Sequence, residues 1–148
     1  MSETLVQAAK EAAVNAHAPY SRFAVGAAVL LEDGSIVTGC NFENASYGLS
    51  LCAETVALAT LNAQGKLRQI REIAIVGGTL NRRAIHGSSP VRPCGRCRQV
   101  MTEAAQLALR DIIVHCASAD LSVVEKFWLS DLLPLPFGPS DMGLVQDD

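Results

Sequence analysis

Two short segments hold the residue types from which chemistry could be built: Cys52-Ala53-Glu54, and Pro93-Cys94-Gly95-Arg96-Cys97. Each opens a stretch with helical patterning, so each sets thiols at a helix amino end. There, unpaired backbone N–H groups and the positive end of the helix dipole favour an anion, and thiolates form more readily. Cys94 and Cys97 are three residues apart and share one side of a helical turn, able to fill two vertices of a zinc tetrahedron with Cys52 as third ligand. Residues two apart on a helix point in nearly opposite directions, so Cys52 and Glu54 converge only if Cys52 lies at the very start of its helix.

Three protein ligands leave one tetrahedral position for water, as a catalytic zinc requires, whereas a structural zinc takes a fourth side chain. Glu54, a carboxylate beside the metal but not bound to it, is the candidate to move protons. A lone C-x-x-C also fits a redox pair or half of a structural zinc site, and a lone C-x-E has almost no specificity. From the residues alone, catalytic zinc, structural zinc and redox chemistry all stay open, with the joint pattern weighing toward the first.

The elements that must position these residues follow from periodicity. Leu5, Ala8, Ala9, Ala12, Ala13 and Ala16 recur at helical spacing, predicting a first helix to about His17 that Pro19 ends. Phe23 to Leu31 reads as a strand, Asp33-Gly34 as a hairpin turn, and Ser35 to Phe42 as the returning strand. A buried helix is expected over Cys52 to Asn62 and a strand over Glu72 to Gly77. The Gly-, Ser- and Pro-bearing stretch Thr79 to Pro93 is expected as a loop. Further on come a helix from Cys94 to about Leu109, a strand over Asp111 to Cys116 and a helix over Val123 to Leu133. A hairpin followed by strand-helix alternation implies a three-layer α/β/α domain with a mixed sheet.

With 148 residues, the chain has the length of one domain, spanning residues 1–148. Apolar residues at 49% and charged residues at 18% suit a packed globular enzyme. A formal charge of -3 offers no general attraction for nucleic acid. No export signal or bilayer-length apolar run is legible, so a cytoplasmic protein with free or metal-bound thiols is expected. Cys40 and Cys116 read as inert small apolar residues, and His17, His86 and His115 receive no role.

The chain resembles the cytidine deaminase family, in its small form with three cysteine zinc ligands. Besides the two segments above, extended by Arg98-Gln99, the resemblance rests on Pro19-Tyr20-Ser21-Arg22-Phe23-Ala24-Val25-Gly26-Ala27 and Gly39-Cys40-Asn41-Phe42-Glu43-Asn44-Ala45-Ser46-Tyr47. Leu132-Leu133-Pro134 and Phe137-Gly138-Pro139 complete it. It implies one Zn2+ per subunit on Cys52, Cys94 and Cys97, with Glu54 carrying the proton to N3 of cytosine and then to the departing amine. Cytidine and 2′-deoxycytidine would become uridine and 2′-deoxyuridine with release of ammonia, a step of pyrimidine salvage.

The resemblance further assigns ribose contacts to Asn41 and Glu43, pyrimidine contacts to Phe23, Ala53 and Phe137, and contacts into a neighbouring subunit's site to Ala45 and Tyr47. A homotetramer with shared sites is implied, acting on a small nucleoside and neither nucleic acid nor membrane. One departure stands out: many members carry Arg directly after the catalytic Glu, where this chain has Thr55. Arg96, between the ligand cysteines, is the candidate to balance the thiolate charge instead, with Arg98 as a second donor. The competing readings are a deaminase of another aminopyrimidine nucleoside, such as a blasticidin-type antibiotic, a zinc-stabilised binding module without turnover, and a nucleic-acid editor.

Overall fold

The computed structural model describes residues 2–145. A mixed sheet organises them in the strand order β2-β1-β3-β5-β6. Strand β1 (Phe23–Leu31) lies antiparallel to β2 (Ile36–Cys40) on one side and to β3 (Ile70–Asn81) on the other. Strand β5 (Ile113–Ser118) runs parallel to β3, and β6 (Val124–Trp128) returns antiparallel to β5. The three-layer expectation is met, because helices cover both faces.

Alternation along the strands decides which helix goes where. On β1, Ala24, Ala28 and Leu30 face a core shared with Leu5, Val6, Ala9 and Ala13 of helix α1 (Ser2–Ala13). The intervening Ala27, Val29 and Leu31 face the opposite core, shared with helices α2 (Ala53–Ala63) and α3 (Gly95–Leu107). A period of two thus feeds two cores from one strand. The close approach of α1 needs a residue without a Cβ at Gly26, where that atom would sit 1.8 Å from the Ala9 carbonyl oxygen.

Four expectations are corrected. Helix α1 stops at Ala13 rather than His17, because the His17 backbone pairs instead with Asn41 and Glu43 across the sheet end. The stretch from Thr79 is not a plain loop: β3 continues to Asn81 and turns through Arg82 and Arg83 into strand β4 (Ala84–His86). Both arginines have positive φ, 48° and 63°, a conformation that hairpin turns normally give to Asn or Gly, so the sequence carries no turn signal there. Val123 to Leu133 does not form one helix. Its half-buried positions, Glu125 and Phe127, are two apart, which suits β6, and a single turn α4 (Leu129–Leu132) follows. The returning strand of the first hairpin ends at Cys40, not Phe42, and Asn41 and Glu43 beyond its end line a cavity. Among the described residues, no helix is long and apolar enough to cross a membrane.

Candidate active site

The amino ends of α2 and α3 meet at one point. Cys52 is the cap residue of α2 and Cys94 the cap residue of α3, both in extended backbone conformation. The thiols of Cys52, Cys94 and Cys97 all lie within 4.8 Å of one another. Placing Cys52 at the cap is what allows Glu54, two residues on, to face the same region, and Glu54 is only 4% exposed. Cys52, Cys94 and Glu54 line a cavity of about 290 Å³ together with Asn41, Glu43, Ala53 and Val25.

Electrostatics separate the thiols. Burial works against the Cys94 thiolate, but backbone N–H groups of Cys97 and Arg96 and the neighbouring thiols outweigh it and hold the group below the ordinary thiol range. Burial pushes Cys97 up, reinforced by the Glu54 carboxylate and the Cys52 thiolate. Burial also raises Cys52 and Glu54. Four acidic groups packed this way ionise together only around a cation. The donor set fits zinc: thiolates on a tetrahedral ion at about 2.3 Å stand roughly 3.8 Å apart, and Cys52 and Cys94 sulfurs are 4.0 Å apart. Among the described residues, no fourth His, Cys, Asp or Glu joins the group.

The polar wall is fixed by backbone anchors. Asn41 donates from Nδ2 to the Phe23 carbonyl at 2.9 Å and accepts at Oδ1 from the Val25 N–H at 2.9 Å. Its side chain thereby continues the β1–β2 ladder beyond the strand end. Glu43 accepts from the backbone N–H groups of Tyr20 and Ser21, at 3.0 and 3.1 Å, and from the Ser21 hydroxyl. The Ser21 hydroxyl leads in holding the Glu43 carboxyl below the usual range.

Other residues singled out from the sequence lie apart. Phe23 is 40% exposed and meets the site through its carbonyl bond to Asn41. Tyr47 is 73% exposed and packs edge-on against Tyr20, Ala45 is exposed, and Phe137 is 65% exposed outside this cavity. Arg96 reaches Cys94 through its backbone N–H, while its side chain is exposed and forms no hydrogen bond to a thiol among the described residues.

Four residues make contacts that were not anticipated. Arg92 lines the cavity and is held by Glu125 of β6 at 2.9 Å. Arg98 donates to the carbonyls of Pro93 and Leu132, and Gln99 to that of Phe137 at 2.7 Å, tying α3 to the C-terminal segment. Thr55 Oγ1 lies 3.8 Å from Cys97 Sγ. Arg98 and Gln99 extend the Pro93 to Cys97 motif, which marked the segment but not these contacts, and nothing in the sequence marks Arg92.

Comparison with known proteins adds to this geometry. Residues 1–116 match the family described as "Cytidine and deoxycytidylate deaminase zinc-binding region". The chain is 41% identical to a cytidine deaminase of Halalkalibacterium halodurans, over 95% of this chain and 96% of that one. It is 46% identical to a cytidine deaminase of Mycobacterium tuberculosis, over 90% and 87% of the two chains. The solved structure of cytidine deaminase from Burkholderia pseudomallei superposes with a TM-score of 0.79 at 43% identity, covering 93% of this chain and 99% of that one.

Proposed function

The chain belongs to the cytidine and deoxycytidylate deaminase family, and from that premise we propose that it hydrolyses cytidine and 2′-deoxycytidine to uridine and 2′-deoxyuridine, releasing ammonia. The observation that carries this reading is one cavity lined by Glu54, the anchored pair Asn41 and Glu43, and two thiols, Cys52 and Cys94, of a three-thiol cluster completed by the buried Cys97. Relatives of matching length that are called cytidine deaminases support it.

Cys52, Cys94 and Cys97 are the residues that would hold one Zn2+. When bound, the ion supplies Lewis acidity that activates water near neutral pH. Glu54 does the proton work: it accepts one proton from the attacking water and delivers it to N3 of the ring, then takes the second from the hydroxyl added at C4 and passes it to the departing amine, leaving the C4 carbonyl. Burial supports this role, because a carboxyl pushed up from its ordinary value is a stronger base and takes the proton of water more readily than an exposed carboxylate does.

Asn41 and Glu43 read the sugar. Their anchors leave each with unused capacity, one N–H and one lone pair on the amide and further lone pairs on the carboxylate, suited to ribose hydroxyls. A bare base would leave that remaining capacity of both groups unused. Arg92, pinned by Glu125, shapes the remaining wall.

The active unit in this reading is a homotetramer. Phe137, Tyr47 and Ala45 do not line this chain's cavity and are exposed, which suits side chains that complete a neighbour's site. The single sheet with its two flanking cores supports residues 1–148 acting as one catalytic domain. The physiological role that follows is pyrimidine salvage. Chromatography of the reaction tests the proposal: cytidine should yield uridine and ammonia in equal amounts, and a chelator should stop it. Turnover of a blasticidin-type nucleoside with cytidine left intact would favour the competing substrate class.

A further inference from the structure

We propose that Thr55 is a positioning residue for the metal site, its hydroxyl donating a hydrogen bond to the Cys97 thiolate and offsetting part of the charge that three thiolates bring to the ion. This rests on the zinc reading above and adds a residue to it. Thr55 lies one position past Glu54 in the first turn of α2, and Cys97 lies in the first turn of α3. Their Oγ1 and Sγ atoms are 3.8 Å apart, within reach for a hydrogen bond to sulfur.

The direction of that bond follows from chemistry. A thiolate has no hydrogen, so it only accepts, and the hydroxyl must donate. The need for the bond follows from burial. Cys97 is 0% exposed, so water does not reach it, whereas Cys94 is exposed and Cys52 opens on the cavity. Cys94 is also served by the backbone N–H groups of Arg96 and Cys97 at the end of α3. The sulfur furthest from water is thus the one that a side chain supports.

Among the described residues, no arginine side chain donates a hydrogen bond to these sulfurs, and Arg92 is paired with Glu125. The Arg98 guanidinium is spent on the carbonyls of Pro93 and Leu132, and the Arg96 side chain is exposed. A neutral hydroxyl leaves more negative charge on the cluster than a guanidinium would, so the sulfurs remain strong donors to the ion. The bond also crosses between helices, because α2 supplies the donor and α3 the acceptor. It therefore fixes the ligand on one helix relative to the proton carrier on the other.

The test is the rate at which the zinc-loaded protein transfers its metal to a coloured chelator, for the wild type, Thr55→Val and Thr55→Ser. Valine matches threonine in shape and lacks only the hydroxyl, and serine keeps it. Thr55→Val should release zinc roughly 10–100-fold faster, the usual scale for a lost partner of a metal ligand, while Thr55→Ser stays near the wild type. With Co2+ in place of Zn2+, the sulfur-to-metal charge-transfer band should move to longer wavelength in Thr55→Val alone, a shift that packing changes would not produce. Equal release rates for Thr55→Val and wild type would overturn the proposal, as would a Thr55→Ser variant as leaky as Thr55→Val. A wild-type chain that takes up no zinc at all would instead overturn the zinc reading itself, and this inference with it.

Discussion

Cys52 Sγ and Cys94 Sγ lie 4.0 Å apart although 42 residues separate them in the chain. Each sulfur leaves the cap residue of its own helix, so the meeting of α2 and α3 sets the spacing rather than any local loop. Removing one ligand should therefore leave the helices in place and weaken only the metal. Cys52→Ser is expected to lower zinc affinity by more than the roughly 10–100-fold that a lost ligand partner costs, with the circular dichroism spectrum unchanged. A chelator competition titration measures it, and wild-type affinity in Cys52→Ser would remove Cys52 from the ligand set.

The packing of α1 onto the sheet makes a sharp stability prediction. A Cβ at Gly26 would sit 1.8 Å from the Ala9 carbonyl oxygen and 2.6 Å from the Ala13 nitrogen, both backbone atoms that move only with the helix. Gly26→Ala should cost at least the ~1–3 kcal/mol typical of overpacking. Gly48→Ala, where a Cβ meets nothing within 4 Å, should stay within about 0.5 kcal/mol of wild type. Urea unfolding of both variants checks the contrast, and equal stabilities would show that α1 is not seated as described.

The cluster was legible in the sequence because its geometry is local to two helix starts. The requirement that Cys52 begin its helix, drawn from the angular spacing of Cys52 and Glu54, is met by its place as cap residue. The hairpin from Phe23 was legible through its apolar run and the Asp33-Gly34 turn. Strand β6 was not, because a half-buried edge strand with Leu129 and Leu132 following it imitates a helix in periodicity. Strand β4 escaped because its turn uses Arg82 and Arg83 at positive φ. The Thr55 contact was also beyond sequence reasoning, which looked for a cation near the thiols and therefore chose Arg96. Helix positions alone do not say which side chain reaches a sulfur on another helix.

Phe137 provides a test of shared sites. In the tetramer reading it stacks on a neighbour's substrate, so Phe137→Ala should raise KM by roughly 5–150-fold, from a stacking contribution of about 1–3 kcal/mol, and leave zinc content unchanged. Mixing Phe137→Ala chains with inactive Glu54→Gln chains should then create sites with an intact Glu54 and an intact neighbouring Phe137. Those sites should show the wild-type KM. A mixture that keeps the high KM of Phe137→Ala would place the aromatic ring in its own chain's site.

Asp120 gives a pH dependence away from the metal. Its carboxylate accepts from the hydroxyl and N–H of Ser122 and from the Ser118 hydroxyl, which hold it at about 2 against an ordinary 3.8. A depressed folded value means that this contribution to stability is complete above pH 3.8 and is lost as the pH falls through about 2. Asp120→Asn should therefore melt below the wild type at neutral pH, with the gap closing as the pH drops across that window. The carboxyl carbon shift of Asp120, followed by NMR, should titrate near 2, and a midpoint at the ordinary value would mean that the loop bonds do not persist in solution.

The role of Glu54 is where the account is most exposed. Ammonia release from cytidine should be followed for zinc-loaded wild type and zinc-loaded Glu54→Gln side by side, with metal content measured on the same samples. The amide keeps the size of the side chain and cannot accept a proton, so turnover should fall by about 10²–10⁴-fold while zinc stays bound. Glu54→Gln turning over cytidine at the wild-type rate with its zinc in place would contradict the assignment of the buried carboxylate as the proton carrier.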